Sequence, residues 1–366
     1  MEHPENDDLY KGLKVNKGVA DVPTVNPYLK KRIQRKEYTP AEFVEGILKG
    51  NITILSQAVT LVESSKYEHQ QVAQEIIEKC LPHAGKSVRI GITGVPGAGK
   101  STSIDAFGMH LIGEGRKLAV LAIDPSSERS KGSILGDKTR METLSREKNA
   151  FIRPSPSAGS LGGVARKTRE TIVLCEAAGF DTVFVETVGV GQSETAVHSM
   201  VDFFLLIQLA GTGDELQGIK RGIMEMADGI IINKADGDNL EKAKLAAAQF
   251  RNALHLFPAP ESGWFPKVLT YSGYYNLGIK EIWDMVGEYM EFTQKNGYFN
   301  YKRNEQAKYW MYESINDTLR ETFYHNPAVE SMLNLTEQQV LNNEISSFVA
   351  AKRMMDLFLE NLSAKK

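Results

Sequence analysis

The run VRIGITGVPGAGKSTSIDAF, residues 88–107, decides the fold. An apolar segment at 88–93 feeds a glycine-rich loop, and helix-forming residues follow from Lys100, the strand–GxxxxGK[ST]–helix order of a phosphate-binding loop. Gly94, Gly97 and Gly99 let backbone N–H groups converge on a phosphate without Cβ clashes. The helix N-terminus adds positive potential, Lys100 supplies a point charge, and the Ser101 hydroxyl can ligate Mg²⁺. A plain glycine-rich turn between strand and helix is the competing reading, and the flanking pattern favours phosphate.

Outward from this loop, short apolar runs recur at 118–123 (LAVLAI), 182–186 (TVFVE), 203–209 (FFLLIQL), 229–233 (GIIIN) and 267–271 (KVLTY), separated by helical stretches. Runs that are apolar without alternation belong to strands buried on both faces. The expected core is therefore a doubly wound α/β domain with a mostly parallel sheet, in which ligands bind beyond the carboxyl ends of the strands. Before it, Thr39-Pro40-Ala41-Glu42 carries a capping box, and Leu55, Ala58, Val59, Val62, Val72, Ala73, Ile76, Ile77 and Cys80 keep a helical period until Pro82. After about residue 293 the strand pattern stops. Tyr312, Ile315, Leu319 and Phe323, then Ile345, Phe348, Met355, Leu359 and Leu362, predict helices with an apolar stripe that must pack on the core or on another chain. The expected division is a mobile arm at 1–38, a helical segment at 39–85, a P-loop domain at 86–292 and a helical dimerisation arm at 293–366.

A chain of 366 residues, 42% hydrophobic, can bury a large core, and its formal net charge of −3 gives no global positive field to recruit nucleic acid. The basic cluster KKRIQRK at 30–36 closes a polar stretch that reads as a mobile arm rather than a nucleic-acid contact. No membrane association is expected, because the longest apolar run, 203–209, is too short to span a bilayer. The N-terminus MEHPENDDLY is acidic where a targeting peptide is basic, so a cytoplasmic location is expected. Cys80 and Cys175 read as buried thiols of a reducing compartment.

Asn233-Lys234-Ala235-Asp236 follows the run GIIIN and fits the NKxD pattern that selects guanine. A carboxylate at Asp236 can accept from both N1–H and the exocyclic amine of guanine, whereas adenine leaves that charge unpaired. Ser272-Gly273-Tyr274, after KVLTY, occupies the place of a second guanine-contacting loop. Asp124 and Glu186 end their strands as carboxylates placed to hold Mg²⁺ directly or through water, and Asp137, in the charged loop 131–140, is a further metal-side carboxylate. Glu186-Thr187-Val188-Gly189 has the form of a DxxG switch with glutamate for aspartate, and the polar residues 190–194 that follow suit a moving segment. The glycine-rich loop 210–220, which ends in Lys220, is another candidate mobile loop. Six of the histidines, at 69, 83, 110, 198, 255 and 325, are scattered without metal-ligand spacing, and no GxSxG elbow supports a serine hydrolase.

Together GVPGAGKST, LAIDPSS, GSILGDKTRM, ETVGVGQSE, AGTGDELQGIK and NKAD resemble the MeaB/ArgK family of P-loop GTPases, which includes the human methylmalonic aciduria type A protein. The resemblance covers roughly residues 39–366. It implies a GTP-hydrolysing chaperone that gates cofactor loading of adenosylcobalamin-dependent methylmalonyl-CoA mutase and protects or reactivates that enzyme. It implies further that Gly94, Val95, Pro96, Gly97, Ala98, Gly99, Lys100, Ser101 and Thr102 hold the phosphates of GTP or GDP. Ser101, Asp124, Asp137 and Glu186 would form the Mg²⁺ neighbourhood, and Asn233, Lys234, Asp236, Ser272, Gly273 and Tyr274 would hold guanine. Lys100, Glu186 and Lys220 are the expected catalytic groups. Family members are homodimers through C-terminal helices, and cobalamin adenosyltransferase is a further partner the resemblance admits. Val190 stands where many GTPases carry a glutamine, so slow intrinsic hydrolysis accelerated by a partner is expected. Two alternatives are an ATPase or kinase tied to lysine, arginine and ornithine transport, which requires adenine binding, and a nickel-delivery GTPase, which wants a His/Cys metal site.

Overall fold

The computed structural model describes residues 38–123, 141–154, 161–187, 193–210 and 221–363. Strand β1 (Val88–Gly94), the lead into the glycine loop, runs at the centre of a seven-stranded sheet. With β2 (Leu118–Ile123), β3 (Ala150–Arg153), β4 (Thr182–Thr187), β5 (Phe203–Leu209), β6 (Gly229–Asn233) and β7 (Lys267–Thr270), the order is β3-β2-β4-β1-β5-β6-β7. Every pairing is parallel; β1 sets Ile90 opposite Phe184 of β4 on one side and opposite Phe203 of β5 on the other.

The helices in chain order are α1 (Pro40–Leu48), α2 (Ile52–Glu63), α3 (Tyr67–Cys80), α4 (Lys100–Gly113), α5 (Leu161–Ala177) and α6 (Ser193–His198). They continue as α7 (Arg221–Met226), α8 (Leu240–Leu254), α9 (Ile279–Lys295), α10 (Tyr298–Tyr324), α11 (Pro327–Leu341) and α12 (Ser347–Ser363). Alternate residues of one strand enter opposite layers, which is why the apolar runs lack alternation. Leu205, Ile207 and Ile231 pack with Ile104 and Phe107 of α4 and with Ile282, Met285 and Tyr289 of α9. Leu206, Ile230 and Ile232 pack instead with Met224 of α7 and with Ala243, Ala247 and Phe250 of α8. Each buried Leu, Ile, Phe or Met among them contributes about 1.5–3 kcal/mol of transfer free energy. The expected doubly wound parallel architecture is thus the one that forms.

Six strands coincide with the predicted runs; the seventh, β3, was not expected. It is a four-residue edge strand, AFIR, with Phe151 its one buried residue. The second and third prefix helices follow the predicted spacing, with Leu55, Ala58, Val59 and Val62 buried in α2 and Ala73, Ile76 and Cys80 in α3. Asn51 caps α2 by accepting from the amides of Thr53 at 3.0 Å and Ile54 at 3.2 Å. The prefix docks on α5 and the β3 edge: Gln74 donates to Glu170 at 2.9 Å, Lys167 Nζ donates to the Glu63 carbonyl at 2.8 Å, and Arg153 pairs with Glu63. In the tail, Ile345 lies in the connection between α11 and α12 rather than on the helical stripe. Val329, Met354 and Phe358 close a small core of that hairpin. The described residues from Pro40 onward form one compact unit.

Buried charge seals the amino edge of the sheet. The Glu176 carboxylate accepts from Arg89 at 2.8 and 2.9 Å, from the Ser87 hydroxyl at 2.5 Å and from the Gly85 amide at 2.6 Å. Burial disfavours its charge, but the guanidinium and the two further donors outweigh that and hold the carboxyl below its usual range. Beside it, Arg303 of α10 grips Asp202 at 2.8 and 2.7 Å and donates to the Ser87 carbonyl at 2.7 Å. Cys80 and Cys175 are buried free thiols; burial pushes Cys80 up to about 11 and Cys175 higher still.

Candidate functional site

At the opposite edge, the ends of β1, β4 and β6 and the segment after β7 converge. Gly94 ends β1 so close to β5 that a Cβ there would stand 2.2 Å from the Ile207 carbonyl oxygen, a contact that backbone cannot relieve. Gly94→Ala is therefore expected to separate β1 from β5 at the loop, lowering nucleotide affinity at least tenfold in calorimetry and shifting the thermal midpoint down by about 4 °C or more. Wild-type affinity in that variant would refute the close-approach argument.

Gly99 takes a left-handed φ of 86° and starts α4, so the amides of the first helical turn face the loop. Lys100 Nζ donates to the Gly94 carbonyl at 2.9 Å, folding the ammonium back across the loop where an oxyanion can compete for it. The Ser101 hydroxyl donates to Glu186 Oε1 at 3.3 Å, and Glu186 is buried at the end of β4. This hydroxyl and carboxylate are hard oxygen donors that suit Mg²⁺. Next to them the Thr187 hydroxyl donates to the Thr93 hydroxyl at 2.9 Å, tying β4 to β1.

Asn233 connects the rest. Its Nδ2 donates to the Ala98 carbonyl of the glycine loop at 2.7 Å, while its Oδ1 accepts from the Lys234 amide at 2.7 Å and the Gly273 amide at 3.2 Å. Lys234 adopts a left-handed φ of 59°, and Asn239 Nδ2 donates to its carbonyl at 2.7 Å. The fully buried Ser272 donates its hydroxyl to Asp236 Oδ2 at 2.5 Å, which orients one carboxylate oxygen and leaves the other for a ligand. Tyr274 stands 81% exposed, its ring edge-on to Tyr275 with centroids 4.9 Å apart.

The structure thus brings residues 94–102, Glu186, Asn233, Lys234, Asp236, Ser272 and Gly273 to one edge. Asp124, Asp137 and Lys220 lie outside the described residues, as do the segments 188–192 and 211–220. Of the polar stretch 190–194, residues 190–192 lie outside the described residues, and Ser193 and Glu194 are buried in the first turn of α6. Sequence reasoning also missed the Thr93–Thr187 pair and the role of Asn233 as a bridge; the buried strand-end position of each was the available signal. Among the described residues no group of three or more His, Cys, Asp or Glu is gathered to hold a metal ion. No described helix is long and apolar enough to cross a membrane.

Residues 55–328 match the family model described as methylmalonyl Co-A mutase-associated GTPase MeaB. The chain is 50% identical over 312 residues to a putative GTPase of Caulobacter vibrioides, covering 85% of this chain and 95% of that protein. It is 45% identical over 323 residues to the mitochondrial methylmalonic aciduria type A homolog of Mus musculus, covering 86% of this chain and 78% of that one. Among solved structures it is similar to an LAO/AO transport system kinase, with a TM-score of 0.69 and 38% identity over 88% of this chain and 99% of the other.

Proposed function

Since the chain belongs to the MeaB family of GTPases, we propose that it hydrolyses GTP in the service of adenosylcobalamin-dependent methylmalonyl-CoA mutase, gating cofactor loading and protecting or reactivating that enzyme. The observation that carries the nucleotide part is the meeting of the phosphate-type loop and the NKxD segment across one side chain, Asn233. In this reading Asp236, oriented by Ser272, accepts from guanine N1–H and the exocyclic amine, and Lys234 and Tyr274 flank the base. The amides of 95–102 and the Lys100 ammonium offset charge on the β- and γ-phosphates while water attacks in line with the leaving oxygen. Ser101, Glu186, Asp124 and Asp137 would hold Mg²⁺, which when bound neutralises charge that develops on the phosphates. Lys220 and the Gly189 amide complete the hydrolytic arrangement from the two glycine-rich segments. With Val190 in place of a water-orienting glutamine, intrinsic hydrolysis is slow and the mutase accelerates it.

The homodimer is supported by the tail, where Phe348, Met355, Leu359 and Leu362 of α12 and Tyr312, Ile315 and Leu319 of α10 are all exposed. Residues 293–366 then act as a dimerisation arm, appended to a P-loop domain at 86–292, a helical segment at 39–85 and an N-terminal arm at 1–38. A cytoplasmic site of action belongs to this reading, and cobalamin adenosyltransferase is a natural third member of the complex.

Calorimetry with GDP and ADP, followed by GTP turnover with and without purified methylmalonyl-CoA mutase, tests the proposal. GDP is expected to bind at least a hundredfold more tightly than ADP, and the mutase to raise turnover at least tenfold. ADP binding as tight as GDP would favour the second reading, an ATP-dependent kinase like the one named in the LAO/AO structure. Turnover indifferent to the mutase would remove the chaperone role.

A further inference from the structure

Ser103 and Tyr271 are polar residues sealed in the core beneath the candidate site, both fully buried. Ser103 belongs to the first turn of α4, where its amide donates to the Gly99 carbonyl at 2.8 Å. Tyr271 directly follows β7. Its amide donates to the Ile232 carbonyl at 2.9 Å, and its own carbonyl accepts from the Ala235 amide at 2.9 Å. One residue is thus built into the helix that follows the phosphate-type loop, the other into the frame of the NKxD segment. The Tyr271 ring lies against Phe107 of α4, centroids 5.1 Å apart. Its hydroxyl ends under the base loop, where a Cβ at Gly273 would stand 2.7 Å from the phenol oxygen.

Burial pushes the Tyr271 phenol up to about 12, so it stays an O–H donor at neutral pH, and the Ser103 hydroxyl is near enough to offset part of that rise. Yet neither hydroxyl has a hydrogen-bond partner among the described residues. A buried hydroxyl without a partner is costly, and each such exception in a folded chain calls for a reason. A small approach of α4 to the segment 271–273 would pair the two.

We propose that Tyr271 and Ser103 are positioning residues for the guanine nucleotide, forming a buried O–H···O bond that closes when the nucleotide draws the phosphate helix and the base loop onto its two ends. The proposal rests on the GTPase reading and adds to it a second tie between the two halves of the site, beneath the one that Asn233 makes. Ser103 acts through the first turn of α4, and Tyr271 acts through Gly273. Without nucleotide the bond is open and neither hydroxyl stabilises the fold. With nucleotide it belongs to the bound state, so its loss falls on affinity and not on the stability of the nucleotide-free protein.

Tyr271→Phe keeps the ring and Ser103→Ala keeps the helix, and each removes one hydroxyl. GDP affinity by calorimetry and urea unfolding without nucleotide are measured on both, on the double variant and on wild type. Expected is a loss of GDP affinity of about fivefold in either single variant and about the same loss in the double variant, with nucleotide-free urea midpoints at or above that of wild type. Wild-type GDP affinity in either single variant overturns the proposal. Losses that multiply in the double variant also overturn it, because the hydroxyls then act separately. A lowered nucleotide-free midpoint, or a variant that does not fold, marks a general structural role and overturns it as well. Wild-type protein that binds no guanine nucleotide would overturn the GTPase reading itself, a result distinct from all of these.

Discussion

Arg303→Met is expected to destabilise the folded chain by about 3–5 kcal/mol, the range for breaking a buried ion pair from one side. Its guanidinium holds Asp202 with two bonds at 2.8 and 2.7 Å and also donates to the carbonyls of Ser87 at 2.7 Å and Gly85 at 2.5 Å. Methionine replaces the apolar stem but leaves the Asp202 carboxylate, 2% exposed, facing the Arg89 amide at 2.9 Å. Urea unfolding checks this against Lys49→Met, whose pair with Glu45 is 70% and 65% exposed and whose loss should leave the midpoint unchanged. Adding Asp202→Asn to Arg303→Met removes the stranded charge and should restore part of the loss. Equal midpoints for the Arg303 and Lys49 variants would show that the amino-edge clamp does not hold α10 to the sheet.

Asp236→Asn is expected to weaken GDP binding at least a hundredfold and to raise affinity for xanthosine diphosphate. The amide can still accept from the Ser272 hydroxyl through its oxygen, so the loop keeps the bond that Asp236 makes at 2.5 Å. What changes is the group offered to the base. The amide oxygen can accept from N1–H of either base, but the amide nitrogen meets the exocyclic amine of guanine donor to donor, whereas the C2 carbonyl of xanthine accepts from it. Calorimetry with the three diphosphates of guanosine, xanthosine and adenosine reads the result directly. GDP affinity that survives the substitution would sink the assignment of Asp236 to the base.

The fold was legible where burial imposes a composition. Strands with α4 and α9 on one face and other helices, such as α7 and α8, on the opposite face have no polar side to show, so six of them stand out as continuous apolar runs. Strand β3 lies at the sheet edge with one buried residue in four, and its sequence AFIR carries no comparable signature. At the site, Glu186 and Asn233 lie at strand ends, Asp236 just after one, and Lys100 and Ser101 open the helix that follows the glycine loop, so position along the chain fixes position in space. The bonds among them were not legible. Thr93 meets Thr187 and Ala98 meets Asn233 from sequence separations of 94 and 135 residues, and Arg303 reaches Gly85 across 218. Pairings this distant are decided by the packing of whole elements, which local composition does not record. The same limit applies to Ser193 and Glu194, polar residues whose burial in α6 local composition does not announce.

The bonds of Asn233 to Ala98, Lys234 and Gly273 have an energetic corollary. One amide is the keystone of two subsites, so ordering either half of the pocket lowers the entropy left for the other half to lose. Guanosine and pyrophosphate, the two fragments of the ligand, would each make room for the other, and an intact nucleotide gains more than the sum of its parts.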